Sequence, residues 1–199
     1  MWSQAPWWLP GGHLQTIWAA KAAIRSRTDV KWRRERWITP DDDFLDVDHL
    51  IAPQGGAKSA PLLVLLHGLE GSTQSHYAHA FADVAVKNQW QMVVPHFRGC
   101  GGEINRQPRA YHSGDWQEVD WILTRLKAAH DGPVLVVGVS LGGNALMRWA
   151  GELGARAQTR VQAVAAICSP LDLVASGMAL GEGFNRWIYT PMFLRTMKP

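Results

Sequence analysis

Short apolar runs alternate with amphipathic segments along most of the chain. Two segments, His76–Asn88 and Asp115–His130, carry apolar residues at helical spacing and are predicted as helices. Continuous apolar runs of four to seven residues are typical of parallel strands covered on both faces. Four segments are therefore predicted as strands: Leu62–Leu66, Gln91–Phe97, the run beginning at Val134, and Val161–Ile167. Strands that alternate with helices in this way indicate an α/β fold with a mostly parallel sheet and helices on both faces.

The two ends of the chain follow this pattern less clearly. Residues 32–39 and 44–52 are predicted as two strands joined by a turn at 40–43. No element is assigned to the first thirty residues, which are rich in Trp, Pro and Gly before an Ala-rich stretch. Residues 169–199 are mixed, and Pro191 is expected to interrupt any long helix there. The 199 residues, 47% of them hydrophobic, are predicted to form a single domain.

A Gly-x-Ser-x-Gly motif with Ser140 at its centre lies between a predicted strand and a segment of good helix formers. A turn this tight strains the backbone of the serine and pushes its hydroxyl out of the sheet. Gly138 and Gly142 are expected because side chains at these positions would collide across the turn. The motif in this context predicts a nucleophile elbow, with Ser140 as the nucleophile of an acyl-transfer reaction.

A second glycine-rich loop, His67–Ser72, follows the Leu62–Leu66 strand directly. In hydrolases with an elbow, this loop supplies one backbone N–H of the oxyanion hole and the residue after the nucleophile supplies the other. By position these donors are Leu69 and Leu141, and Gly68 and Gly71 would let the backbone approach the acyl group. The alternative is that both glycine-rich turns serve packing alone.

No histidine follows Ser140, although the usual chain order of the triad is Ser, then an acid, then His. His67 is expected to hold its loop by hydrogen bonds rather than act as the base. His76 and His79, three residues apart on a helix, are expected to be solvated rather than metal ligands. Asp172 is expected to cap a helix or lie in a turn, with the role of triad acid as the alternative.

The composition gives no indication of nucleic-acid binding, of a metal or other cofactor, or of a membrane segment. The formal net charge of +3 does not require a nucleic-acid partner, and the basic stretch at 31–36 is expected to be a solvated edge rather than a binding patch. The two cysteines have no metal-ligand spacing, so neither a metal nor another cofactor is expected, and their number fits a reducing, cytoplasmic compartment. The first residues do not look like a signal peptide, and no run of about 18 apolar residues predicts a transmembrane segment.

Eleven tryptophans are many for this length. Trp7, Trp8 and Trp18 lie near the N-terminus, and Trp187 lies among other large apolar residues near the C-terminus. We expect an N-terminal arm packed over the sheet edge; an apolar acyl pocket or a lipid-contacting surface is the alternative.

Six segments in order resemble the α/β-hydrolase superfamily and, within it, the YheT-like branch of esterase-related proteins. They are Trp8-Leu9-Pro10 with Gly12–Thr16, then His67–Ser72, His96–Gly102, Tyr111–Asp115, Gly138–Gly143 and Ser169–Leu173. The resemblance implies the α/β-hydrolase fold and ester hydrolysis by Ser140. Because members of the family continue through a cap and further strands, it also implies that 171–199 begins the cap. The triad acid and histidine would then come from beyond residue 199, and a fold that stopped there would lack its last strands.

Two hypotheses follow. The first is a serine hydrolase of carboxylic esters, of apolar or medium-chain acyl type, acting on small-molecule or lipid esters through an acyl-enzyme at Ser140. The second is a non-catalytic module of the same fold that binds a lipid or a partner chain through its Trp-rich surfaces. The second is motivated by the absence of a histidine after Ser140. The sequence does not determine the oligomeric state.

Overall fold

A single sheet of six strands forms the framework of the described residues. The computed structural model describes residues 5–23, 30–51, 57 and 59–197. Within these residues the strands run in the spatial order β1-β2-β4-β3-β5-β6. Their bounds are β1 Lys31–Ile38, β2 Phe44–Ile51, β3 Leu62–Leu66, β4 Gln91–Pro95, β5 Val134–Val139 and β6 Ala163–Ile167. Strands β3 to β6 are mutually parallel, whereas β1 and β2 form an antiparallel pair attached to β4.

Helices connect the parallel strands and flank the sheet. They are α1 Gly11–Ala23, α2 His76–Lys87, α3 Trp116–Ala129, α4 Leu141–Leu153, α5 Leu173–Leu180 and α6 Gly183–Met197, with a short 3₁₀ helix at Gly154–Thr159. The carboxylate of Asp115 accepts a hydrogen bond from the Glu118 amide and so caps the start of α3.

The two faces of the sheet carry separate apolar cores. In β3, alternate residues such as Val64 face α3 and α4, where Ile122 and Trp149 are fully buried. The intervening residues, such as Leu65, pack against the buried alanines of α2. The predicted mostly parallel sheet with helices on both faces is thereby confirmed, and it explains why β3 is apolar at every position.

The ends of the chain differ from the prediction. The first thirty residues, to which no element is assigned, contain helix α1, whose apolar side chains do not gather on one face. Helix α6 continues through Pro191, so the expected interruption is wrong. The ring of proline fixes a φ that is compatible with a helix, and within the helix it removes one backbone donor. The expectation that the first residues are not a signal peptide falls largely on residues 1–4, which lie outside the described residues.

In the described part of the N-terminal arm, helix α1 packs on other helices, whereas the expectation is packing over the sheet edge. Helix α1 lies against α2 and, through His13, against α6. Trp7 is 91% exposed, and Trp8 and Trp18 contact each other edge to face while remaining about half exposed. Among the described residues, none of the helices combines the length and the hydropathy of a membrane span.

The edge strands have different surroundings. In β1, Arg34 and Arg36 pair with Asp48 and Asp46 of the neighbouring strand, in a paired, largely exposed strand that agrees with the expected solvated edge. Burial raises the pKa of Asp48, but the hydrogen bonds to Arg34 and His96 outweigh burial and hold that pKa well below its ordinary value. Strand β6, at the other edge, is apolar and exposed along its whole length.

Candidate active site

Ser140 occupies the sharp turn between β5 and α4. Its backbone has φ 52° and ψ −117°, a conformation that non-glycine residues rarely adopt. The turn is held by the Ser140 amide, which donates to the Ile167 carbonyl at 2.8 Å, and by the Asn144 amide, which donates to the Ser140 carbonyl at 3.0 Å. The Ser140 hydroxyl forms no capping bond to α4. The strained backbone therefore leaves this hydroxyl at the positive end of the helix dipole.

The glycines of the motif are required by close backbone contacts. A Cβ at Gly138 would lie 2.5 Å from the Gly142 carbonyl oxygen, across the turn as expected. At Gly142 the obstacle is different, because a Cβ would lie 2.4 Å from the carbonyl oxygens of Leu66 and His67. The elbow is thus pressed against the end of β3, where the second glycine-rich loop begins.

The loop after β3 lies beside the elbow. A Cβ at Gly68 would lie 3.2 Å from the Cβ of Ser140. The amides of Gly68 and Glu70 both donate to tyrosine hydroxyls at 3.0 Å. Between them, Leu69 lines the same cavity as Ser140 and Leu141. In the described part of the chain, no protein acceptor takes the amide proton of Leu69 or Leu141.

His67 is fully buried at the base of this loop. Its Nδ1 donates to the Gly68 carbonyl at 2.7 Å, and its Nε2 accepts from the Phe97 amide at 3.0 Å. Burial lowers the pKa of His67 to about 3, so the ring is neutral. Because both nitrogens are occupied by the backbone, neither is free to take a proton from Ser140.

A cavity of about 550 Å³ opens at Ser140, a size suited to a small organic ligand. Helices α1, α5 and α6 form its far side. No Asp, Glu, Lys or Arg among the described residues lines it. In its wall, the Nδ1 of His13 lies 3.2 Å from the Tyr189 hydroxyl, and the His13 ring packs 4.7 Å from that of Phe184.

The remaining candidates of the sequence analysis are Asp172, His76, His79 and the two cysteines. Asp172 caps α5, its carboxylate accepting from the Ala175 amide at 2.9 Å, so the predicted capping role is confirmed. His76 is exposed on α2, as expected, whereas His79 on the same helix is half-buried. In the described ranges, no group of three or more His, Cys, Asp or Glu residues is placed to hold a metal ion. Cys100 and Cys168 are free thiols, and burial raises the pKa of Cys100 to about 11.

Sequence reasoning missed three residues near the site. Tyr77 lies in the predicted helix His76–Asn88, where it counts only as one of the apolar positions, and Tyr111 and His13 appear only within segments that carry the family resemblance. The hydroxyls of Tyr77 and Tyr111 bind the loop after β3, and His13 lines the Ser140 cavity. The hint in the sequence is that Tyr77 and Tyr111 are polar aromatics beside glycine-rich turns, since buried tyrosine hydroxyls find partners.

Comparison with known proteins agrees with this geometry. The family model described as "alpha/beta hydrolase fold" matches residues 61–193. The chain is 37% identical over 187 residues to "Putative esterase YheT" of Escherichia coli, covering 94% of this chain and 53% of that protein. It is 26% identical over 195 residues to human "Phospholipase ABHD3", covering 95% of this chain and 46% of that protein.

Solved structures show the same fold at lower identity. The structure of esterase Est22 superposes with a TM-score of 0.53 at 15% identity, covering 80% of this chain and 52% of that one. The chain spans about half the length of the curated relatives it matches. On the matched family model, the sheet topology and the similarity to YheT, the chain belongs to the α/β-hydrolase fold family, on its YheT-like branch.

Proposed function

We propose that the protein containing this chain is a serine hydrolase of carboxylic esters with Ser140 as its nucleophile. The observation that carries the proposal is the placement of the strained Ser140 beside two backbone amides, those of Leu69 and Leu141, that donate to no protein acceptor within the described residues. Such amides stabilise the negative charge that develops on a carbonyl oxygen during acyl transfer.

In the proposed reaction the Ser140 Oγ attacks the ester carbonyl and the amides of Leu69 and Leu141 bind the resulting oxyanion. The alcohol then leaves, and water hydrolyses the acyl-enzyme to release the acid and restore the serine. Helix α4 begins at Leu141, so its positive end adds to the stabilisation of the oxyanion, by about 0.3–2 kcal/mol. Gly68, Gly138 and Gly142 allow the close backbone contacts, and His67 holds the loop, so these four support the site.

The proton acceptor is proposed to come from a part of the protein outside this sequence. All eight histidines precede Ser140, and His67 is occupied by backbone groups. Asp172 serves as a helix cap. The curated relatives are about twice as long as this chain, which leaves room for an acid and a histidine in the remainder.

The cavity supports an uncharged ester with an apolar acyl group as the substrate. Its lining within the described residues carries no carboxylate, ammonium or guanidinium, and leucine, proline and phenylalanine side chains contribute to it. Burying a charged substrate there would leave the charge unpaired. Relatives named as an esterase and as a medium-chain fatty acid ethyl ester synthase/esterase fit a small-molecule or lipid ester of medium acyl length.

Labelling of the complete protein by a fluorophosphonate probe tests the proposal. We expect covalent labelling at Ser140, turnover of p-nitrophenyl butyrate, and loss of both in Ser140→Ala. Removing the nucleophile of a serine hydrolase lowers kcat by roughly 10⁶-fold. Labelling that is absent from the wild type, or unchanged in Ser140→Ala, would refute the assignment.

A non-catalytic module that binds a lipid or a partner chain is the second candidate. The exposed tryptophans favour it, since Trp7 and Trp187 are 91% and 77% exposed. It predicts that the complete protein binds without turning over esters. The same labelling experiment separates it from the serine hydrolase, because a binding module needs no reactive Ser140.

A further inference from the structure

The geometry points to Tyr77 and Tyr111 as positioning residues that hold the loop after β3 so that the Leu69 amide faces the reacting carbonyl. The inference rests on the proposed function and assigns two residues to it. Both tyrosines act through backbone groups of the loop rather than through the substrate. The evidence is the way in which their hydroxyls bind the two amides that flank Leu69.

The two flanking amides are both occupied. Tyr77, at the start of α2, accepts the Gly68 amide at 3.0 Å, and Tyr111 accepts the Glu70 amide at 3.0 Å. With Gly68 and Glu70 fixed, the peptide of Leu69 has little freedom to rotate. Of three successive amides, only the central one is left for a ligand within the described residues.

Tyr111 is itself held in place. Its ring stacks on Phe97 with centroids 5.6 Å apart and planes within 5° of parallel. Its hydroxyl donates to the Glu70 carboxylate at 2.5 Å while accepting from the Glu70 amide. Burial raises the pKa of Tyr111 far above its ordinary value, so the hydroxyl keeps the proton it donates. The Tyr111 hydroxyl thus binds both the backbone amide and the side-chain carboxylate of Glu70.

Glu70 needs this support because its φ is 53°, in the left-handed region that glycine favours. Such a backbone persists only where its surroundings hold it. Tyr77 has a comparable steric role, since a Cβ at Gly71 would lie 2.5 Å from its hydroxyl. The loop is therefore shaped around two tyrosine hydroxyls.

Steady-state kinetics of the complete protein test the inference. The variants Tyr77→Phe and Tyr111→Phe remove one hydroxyl each, and Thr124→Val is the matched control, removing a hydrogen-bonded hydroxyl of α3 away from the site. Losing an oxyanion donor outright costs about 10²–10³ in kcat, so misaligning one is expected to cost about tenfold per variant. KM for p-nitrophenyl butyrate should change less than twofold, and the control should match the wild type.

A boronic acid separates positioning from a general structural role. Phenylboronic acid forms a tetrahedral adduct with a catalytic serine, so its Ki should rise about tenfold in each phenylalanine variant, in parallel with the fall in kcat. Glu70→Ala should lower kcat and raise Ki in the same parallel way, because the Tyr111 hydroxyl loses its carboxylate partner. Thermal unfolding of each variant checks that the fold persists.

The outcomes separate the two proposals. A wild type that is neither labelled by fluorophosphonate nor active refutes the proposed function. A labelled, active wild type whose phenylalanine variants keep kcat and Ki within twofold overturns the positioning role alone. Variants whose kcat falls only in proportion to lost folded protein, with Ki unchanged for the folded fraction, overturn it as well.

Discussion

The elbow and the loop after β3 each hold a residue in a strained backbone conformation, but different interactions stabilise the two turns. Each follows a parallel strand, and each holds a non-glycine residue at nearly the same positive φ, 52° at Ser140 and 53° at Glu70. At the elbow the shape is enforced by steric exclusion, because a Cβ at Gly138 or Gly142 would lie within 2.5 Å of a backbone oxygen. In the loop the shape is held mainly by hydrogen bonds that backbone amides donate to the hydroxyls of distant tyrosines.

The two turns should therefore respond differently to amino-acid substitution. A methyl group added at either glycine of the elbow cannot fit unless a backbone group moves, so it should lower the stability of the whole fold. The hydrogen bonds of the loop can be removed one at a time. Because each contributes little to stability, its loss should misorient the Leu69 amide before it unfolds the protein. We therefore expect substitutions in the elbow to act first on unfolding and those in the loop to act first on catalysis.

Gly142→Ala should have the largest effect on stability. Its Cβ would lie 2.4 Å from the carbonyl oxygens of Leu66 and His67, and neither backbone group can move without displacing β3. Overpacking of this kind costs about 3 kcal/mol in the free energy of unfolding. Urea unfolding followed by circular dichroism measures it.

Gly151→Ala on the same helix is the matched control. A Cβ there has no neighbour within 4 Å, so the variant should gain up to about 1 kcal/mol from helix propensity. Equal stability of the two variants would show that the elbow yields to an added methyl group, against the steric account.

The buried His67 should make the stability of the fold depend on pH, with the next largest effect on the free energy of unfolding. Its pKa is about 3 in the folded chain against an ordinary value of 6.5, because burial disfavours the charged ring. Between these values the unfolded chain binds a proton that the folded chain does not. The contribution of His67 is therefore complete above pH 6.5 and is lost as the pH falls towards 3, by about 2 kcal/mol at pH 5.

Comparison of the wild type with His67→Gln isolates this contribution. The wild type should lose about 2 kcal/mol more between pH 7.5 and pH 5 than the variant does, as measured by urea unfolding at each pH. Parallel pH profiles would mean that His67 is accessible to protons in the folded state. Asp48 cannot mimic the effect, since its lowered pKa places its own loss of stability at a more acidic pH.

The same contrast explains what could be predicted from the sequence. The turn at Ser140 is encoded by the Gly-x-Ser-x-Gly motif at 138–142 together with the strand and helix formers on either side of it, so the local sequence predicts the turn. β3 is encoded by five consecutive apolar residues, and its predicted bounds match the structure. Where the determinants are local, the prediction and the structure agree.

Where the determinants are distant in sequence, the prediction stops short. The bond from Tyr111 to the Glu70 amide spans 41 residues, and the obstacle facing Gly142 is the end of a strand more than seventy residues earlier. No local pattern records either contact. Helix α1 escaped prediction for a related reason, since its apolar residues follow no single face and the periodic signal is absent.

Glycine substitutions at the two residues with positive φ compare the elbow and the loop directly. Their expected effects on the free energy of unfolding are smaller than those at Gly142 and His67. Ser140→Gly should exceed Ser140→Ala by about 1 kcal/mol in the free energy of unfolding, because glycine adopts φ 52° without strain. Glu70→Gly should stay within about 0.5 kcal/mol of the wild type, since the relief at φ 53° is offset by the lost carboxylate bond to Tyr111. Urea unfolding of these variants measures both differences. Glu70→Gly could instead be more stable than the wild type by as much as Ser140→Gly is more stable than Ser140→Ala. The bond to Tyr111 would then contribute nothing to stability, and relief of backbone strain alone would account for both turns.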